Sequence, residues 1–257
     1  MPKISVITVC YNSEKTIQDT LHSVATQDYS NLEYLILDGQ SSDSTMNIVQ
    51  SALPSLPQNT AVSSEKDKGL YDAMNKGIAK ASGEIIGFLN SDDVFAGPSS
   101  IRQIAEIFEK TKADIVYGNI VYTKQYDLSS ITRSWRPGNP PPSGMKFGWH
   151  PPHPAFYVKR DLLNRLGGFN LNYRIAADYE MMVRLIAKHQ LRLAWCDHTI
   201  VRMREGGVSN AGLKSIWRAN VECWQAWKEN GLTPSPVLIA GKLTSKILQY
   251  GSKPPNR

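Results

Sequence analysis

An apolar run, Ile85 to Leu89, ends in Asn90, Ser91 and two adjacent acids, Asp92 and Asp93. Neighbouring carboxylates repel: unit charges ~4 Å apart cost roughly 4 kcal/mol at an effective dielectric of about 20. A divalent cation reverses that sign, because Mg2+ is commonly held by one or two carboxylates together with substrate phosphates. Mn2+ favours similar oxygen ligands. Other polar residues close similar runs: Tyr11 and Asn12 a first, Asp38 a second, Glu65 and Asp67 a third. Asp178 and Glu180 lie in ADYE, where a carboxylate could take a proton. His150 and His153 in HPPHP offer imidazoles to a metal or a phosphate, and a loop histidine that only packs is an equal reading. Arg202 and Arg204 precede EGGVS, whose closure would bring them to a diphosphate; surface solvation is the other reading.

These residues need a frame, and the hydrophobic pattern supplies one. ISVITV, LEYLIL, TAVSSE and EIIGFL read as strands. Between them, Ile17, Leu21 and Val24, then Leu70, Met74, Ile78 and Ala81, recur at helical spacing. Strands alternating with helices imply βαβ crossovers and a parallel sheet covered on both faces. In such sheets ligands bind outside the carboxyl ends of the strands, where the acids stand. Neither G-x-G-x-x-G nor G-x-x-x-x-G-K-[ST] occurs, so the usual phosphate loops are excluded.

Further along, IRQIAEIFEK is a helix, DIVYGNIVY a strand, and RPGNPPPSGMKFGWHPPHP a long loop of the kind that is functional or disordered. AFYVK resumes a strand; RDLLNRLGGF and ADYEMMVRLIAKH are helices. Two amphipathic helices follow, LKSIWRANVECWQAWKEN and SPVLIAGKLTSKILQYG. In the first, Trp217, Trp224 and Trp227 form a stripe suited to core or homo-oligomer contact. The second carries Lys242 and Lys246 beside apolar residues and could lie on an anionic leaflet or simply close the domain.

The 257 residues are 41% hydrophobic and carry a net charge of +6. No acid follows Glu229, so much of that excess is in the tail, and a basic stripe with interleaved aromatics for nucleic acid is missing. Cys10, Cys196 and Cys223 lie far apart, which fits a reducing cytosol better than a disulfide framework. MPKISVITVCYN lacks a signal-peptide pattern, and no run approaches the ~20 apolar residues of a membrane span. The expectation is a cytoplasmic protein, soluble or peripheral at the inner face of the membrane.

ISVITVCYN, DGQSSDST, DKGLYDAMNKGIAKASGEIIGFLNSDD and GGFNLNYRIAADYEMMVRL, in this order from about Ile4 to Ser209, resemble glycosyltransferase family 2. The resemblance implies a GT-A fold, an α/β Rossmann-like wound and mostly parallel sheet flanked by helices. Residues 1–210 would be the transferase domain (1–118 binding nucleotide, 119–210 acceptor), with 211–257 a C-terminal helical extension. It implies an inverting transferase using a nucleotide-sugar donor, most often a UDP-sugar, with Mn2+ or Mg2+, and a glycan or lipid-linked acceptor. By similarity, Thr8, Tyr11, Asn12, Asp38 and Asp67 would contact base and ribose. Asp92 would lie near the ribose, Asp93 and His153 would hold the metal, Arg204 would meet the diphosphate and Asp178 would be the base, with Glu180 as fallback. Two departures stand out: Gly39 where the family often has a second Asp, and Ala177 where it has Glu. The Gln-x-x-Arg-Trp signature of processive synthases is absent, so one sugar per encounter is expected. A sugar-phosphate nucleotidyltransferase and a non-catalytic nucleotide-sugar-binding module are the alternatives.

Overall fold

The computed structural model describes residues 1–206 and 212–251. The chain starts as three βαβ units. β1 (Ile4–Cys10), β2 (Leu32–Asp38), β3 (Asn59–Ser64) and β4 (Ile85–Phe88) alternate with α1 (Ile17–Ala25), α2 (Thr45–Ala52) and α3 (Leu70–Lys80). All four strands are parallel, in the order β3-β2-β1-β4. Side chains alternate across a strand, and burial follows. Ile7, Val9, Leu35 and Leu37 enter one core with Met74 of α3, while Ile4, Val6, Tyr34 and Ile36 enter the other with Ile17 and Leu21 of α1.

The second half continues the same sheet with mixed directions. β5 (Val94–Phe95), α4 (Ser100–Thr111), β6 (Ile115–Lys124), β7 (Asp127–Trp135), β8 (Phe156–Lys159) and α5 (Arg160–Leu166) lead to α6 (Ala177–Met182), which runs into a π-helical stretch, Val183–Lys188. β9 (Leu193–Arg204), α7 (Leu213–Glu229) and α8 (Leu238–Gly251) follow. β8 is antiparallel to β4 and β6, β9 is parallel to β6, β5 is antiparallel to β9, and β7 forms a hairpin with β6. The parallel half and the wound α/β character follow the sequence reading; β5, β7 and β9 do not appear in it.

The proline-rich segment, read as functional or disordered, is packed. Met145 is fully buried, Trp149 Nε1 donates to the Pro137 carbonyl at 2.8 Å, and the Tyr117 hydroxyl donates to Gly138 at 2.9 Å. The lysines of α8 also turn inward. Lys242 Nζ donates to Cys223 Sγ and sits 4.2 Å from the centre of the Tyr179 ring. Burial first, then Arg133, lowers the Lys246 ammonium. Among the described residues no helix is long and apolar enough to cross a membrane. Gly207 to Ser209, and the tail's Lys253 and Arg257, lie outside the described residues.

At the amino end of the sheet, Glu33 fastens β2 to β1 and to the α3–β4 turn. It is 8% exposed and accepts from Ser5 Oγ, from Ser82 N and Oγ, and from Lys3 Nζ at 3.1 Å. Burial alone would raise its pKa; the hydrogen bonds outweigh burial and bring it from 4.5 down to about 2. A depressed carboxyl stabilises the fold above its unfolded pKa, and that contribution disappears as pH falls toward the folded value. Denaturant unfolding between pH 5 and 2 should therefore show stability falling through this window. Glu33→Gln should flatten part of the fall, and an unchanged profile would remove Glu33 from the account.

Candidate active site

The carboxyl ends of β1 and β2 are joined by polar side chains. Asn12, in the left-handed region at φ 49°, donates its N–H to Ser41 Oγ at 2.8 Å, and its Oδ1 accepts from Ser42 N at 2.9 Å. Tyr11 beside it is 64% exposed. Asp38 is buried and accepts from Ser41 N, Ser41 Oγ (2.5 Å) and Ser64 Oγ (2.6 Å). Its oxygens are occupied by the protein, so here it is the acid that shapes the β2 turn. Asp67 Oδ1 accepts from Gly69 N at 2.8 Å. Its Oδ2 lies 2.6 Å from where a Cβ on Gly39 would be, and the Tyr11 ring is 3.4 Å from that point. Any side chain at 39 would displace Asp67. Tyr11, Gly39 and Asp67 thus make one wall, with Asp67 supplying a carboxylate beside the position where the resembled family often has its second Asp.

Three expected ligands are placed elsewhere. Thr8 is fully buried and accepts from the Tyr34 hydroxyl at 3.0 Å. It shares the face of β1 with Val6 and Cys10, which α1 covers, so it does not reach the cleft. Asp93 is also fully buried, accepting from Arg204 N at 3.2 Å and Asn90 Nδ2 at 3.1 Å. Burial first, then the neighbouring Asp92, pushes its carboxyl well above the ordinary range. Arg204 is 5% exposed, donating to Asp19 and to the Gln125 carbonyl. Asp93 and Arg204 therefore form a buried joint between β9 and the β4 turn. Asp92 is the half-buried member of the pair. Burial raises its carboxyl and Arg204 opposes the rise.

On the other wall His153 stacks on Phe88, the last residue of β4, with centroids 5.6 Å apart, and meets Phe169 edge-on at 5.7 Å. Among the described residues its buried Nε2 has no partner. Burial lowers its pKa, and nearby Asp178 works in the opposite direction. A neutral imidazole with an unused nitrogen suits a metal or a polar ligand atom. His150 instead packs edge-on against Trp135 and Tyr179, and its pKa falls to about 3 through burial and the charge of Lys242.

Asp178 begins α6 and is half-buried. Oδ1 accepts from Tyr179 N at 2.8 Å and makes a long 3.5 Å contact with the Tyr71 hydroxyl. Among the described residues no donor reaches Oδ2. Glu180 is removed as a base: it is 3% exposed, bound by Arg184 through two 3.0 Å hydrogen bonds and by Asn230 Nδ2 at 3.0 Å. Tyr71 is a residue the sequence reading missed. Its hydroxyl donates to the Ile175 carbonyl at 2.5 Å, linking the Asp67 loop to the segment carrying Asp178. Its place inside DKGLYDAMNKG was the available signal.

The sequence model of glycosyl transferase family 2 matches residues 5–167, more than half of the chain. The chain belongs to glycosyl transferase family 2. A PGL/p-HBAD biosynthesis glycosyltransferase of Mycobacterium tuberculosis is 29% identical over 211 residues, 81% of this chain and 80% of that protein. An uncharacterized glycosyltransferase of the same organism is 33% identical over 189 residues, 71% of this chain and 68% of its own length. Among solved structures, S. aureus TarS 1–349 in complex with UDP-GlcNAc superposes with TM-score 0.67 at 20% identity. This chain spans 65% of that structure, which covers 89% of it. Mannosyltransferase PcManGT from Pyrobaculum calidifontis, in complex with GDP-Man and Mn2+, gives TM-score 0.67 at 22% identity, covering 94% of this chain and 69% of its own. At these identities the two structures establish the GT-A fold of this family 2 member.

Proposed function

We propose that the chain transfers one sugar, with inversion, from a nucleoside-diphosphate sugar to a hydroxyl of a glycan or lipid-linked saccharide. The observation that carries this reading is Asp178, a half-buried carboxylate whose Oδ2 meets no donor among the described residues and whose Oδ1 contacts Tyr71, four residues after Asp67. The strand-end half, 1–118, would seat the nucleotide and 119–210 the acceptor. Asp178 takes the acceptor hydroxyl's proton as that oxygen attacks the anomeric carbon, through an oxocarbenium-like transition state. The TarS and PcManGT complexes support a UDP- or GDP-sugar as donor.

A divalent cation, Mn2+ or Mg2+, fits the residues present in part. Among the described residues no cluster of three or more His, Cys, Asp or Glu could hold a metal alone. A site completed by substrate phosphates needs fewer protein ligands. Asp92, half-buried with its carboxyl raised by burial, is the acid we assign, and the unpartnered Nε2 of His153 is the second donor. When bound, the ion supplies charge neutralisation at the departing diphosphate.

Thermal unfolding with UDP- and GDP-sugars, with Mn2+ or with EDTA, tests donor and metal together, because a ligand that binds only the native state stabilises it. Stabilisation by the sugar nucleotide should require the metal and be lost in Asp92→Asn. Equal stabilisation in EDTA would overturn the metal reading. Donor binding without sugar transfer to any hydroxyl acceptor would favour a non-catalytic binding module.

A further inference from the structure

The candidate base is held from behind by a helix that the family model does not reach. The match ends at residue 167, and α7 begins at Leu213. Four side chains of α7 and its C-terminal end grip the stretch 173–180. Glu222 accepts from the backbone N–H groups of Arg174 (3.3 Å), Ile175 (2.9 Å) and Ala176 (2.8 Å). Trp227 Nε1 donates to the Tyr179 hydroxyl at 3.0 Å. Glu229 accepts from the Tyr173 hydroxyl at 2.8 Å, and Asn230 donates to Glu180 at 3.0 Å.

Among these contacts Glu222 is distinctive. Its carboxylate is 8% exposed, and among the described residues no Lys or Arg forms an ion pair with it. Three successive amides aimed at one point form a concave anion seat of the kind called a nest. Here a side chain from a distant helix fills it. The seat ends two residues before Asp178, in a segment with no regular structure of its own. From the opposite side, the Tyr71 hydroxyl holds the Ile175 carbonyl. Backbone donors on one face and a backbone acceptor on the other are thereby both fixed immediately ahead of α6.

We propose that Glu222 is a positioning residue for sugar transfer, fixing the 174–176 backbone so that Asp178 meets the acceptor hydroxyl at bonding distance. This inference rests on the reading of Asp178 as the base. A displacement of about 1 Å at a reacting group costs on the order of 10²-fold in rate. Removing the carboxylate also leaves three amides, that of Ala176 buried, without their acceptor.

The test is Glu222→Gln, which keeps one acceptor oxygen and removes the charge. Per folded molecule, kcat for transfer should fall by about 10²-fold, with the KM for the sugar nucleotide within about two-fold of wild type. Hydrogen exchange at amides 174–176 should accelerate, while β1 and β2 amides keep their rates. Unchanged kcat per folded molecule, or unchanged exchange at 174–176, would overturn the proposal. A uniform acceleration throughout the chain would also overturn it, since that marks general destabilisation. If Glu222→Gln does not fold, Glu222→Asp, which withdraws the carboxylate by one methylene, is read in the same way. If the wild-type protein transfers no sugar, the transferase reading fails while the exchange measurement still decides whether Glu222 holds the segment.

Discussion

Asp178→Asn should lower transfer by about 10²–10⁴-fold, the usual contribution of a positioned general base. Its affinity for the sugar nucleotide should stay near that of wild type. The substitution is nearly isosteric, so Tyr179 N and the Tyr71 hydroxyl retain an acceptor at Oδ1. What is lost is the basic oxygen that no donor among the described residues occupies. Steady-state kinetics beside equilibrium binding of the nucleotide separate the two effects. Transfer within a few-fold of wild type would remove Asp178 as the base. Glu180 would not inherit the role, because Arg184 and Asn230 hold it in the interior.

Trp227→Ala should cost about 3–5 kcal/mol of stability, the range for truncating a large buried aromatic. Trp227 is fully buried and belongs to the core that holds Met74, Phe88 and Met181. Its indole N–H also supplies the partner of the Tyr179 hydroxyl. At this chain length each kcal/mol shifts the midpoint by about 2–4 °C, so the variant should melt well below wild type. Trp227→Phe, which keeps most of the volume and loses the N–H, should cost much less. A loss under about 1 kcal/mol in Trp227→Ala would place α7 outside the cooperative core.

The α/β frame was legible because β1, β2 and β4 are short apolar runs buried on both faces, separated by helical segments. β7 and β9 were hidden for a different reason. β7 is mostly exposed along its first half, and β9 carries Asp197 and His198 where its pairing with β6 shifts register, so neither keeps a clean alternation. At the site, the sequence located the strand ends but not the directions of individual side chains. Asp92 and Asp93 are adjacent on one turn, and only the packing of Arg204 and Asn90 decides that Asp93 is the interior one. Arg204 itself is drawn inward by Asp19, a partner 185 residues away. Glu222 had no local signal, since the amides it binds are 46 to 48 residues distant. The tryptophan stripe did mark α7 as a packing helix, and Cys223, Ala226 and Trp227 make it a wall of the same core.

The crossing between the proline-rich segment and α8 sets an order of assembly. A methyl on Gly241 would collide with the Phe147 carbonyl, and one on Gly148, which sits at φ 91°, would collide with the backbone of Lys242. The two segments meet main chain to main chain, so this stretch has its final shape only when the helix is present. During synthesis amino-terminal regions emerge and fold first. The parallel strands β1 to β4 can therefore settle on the ribosome, whereas the proline-rich rim stays unfinished until residues 238–251 have left the exit tunnel.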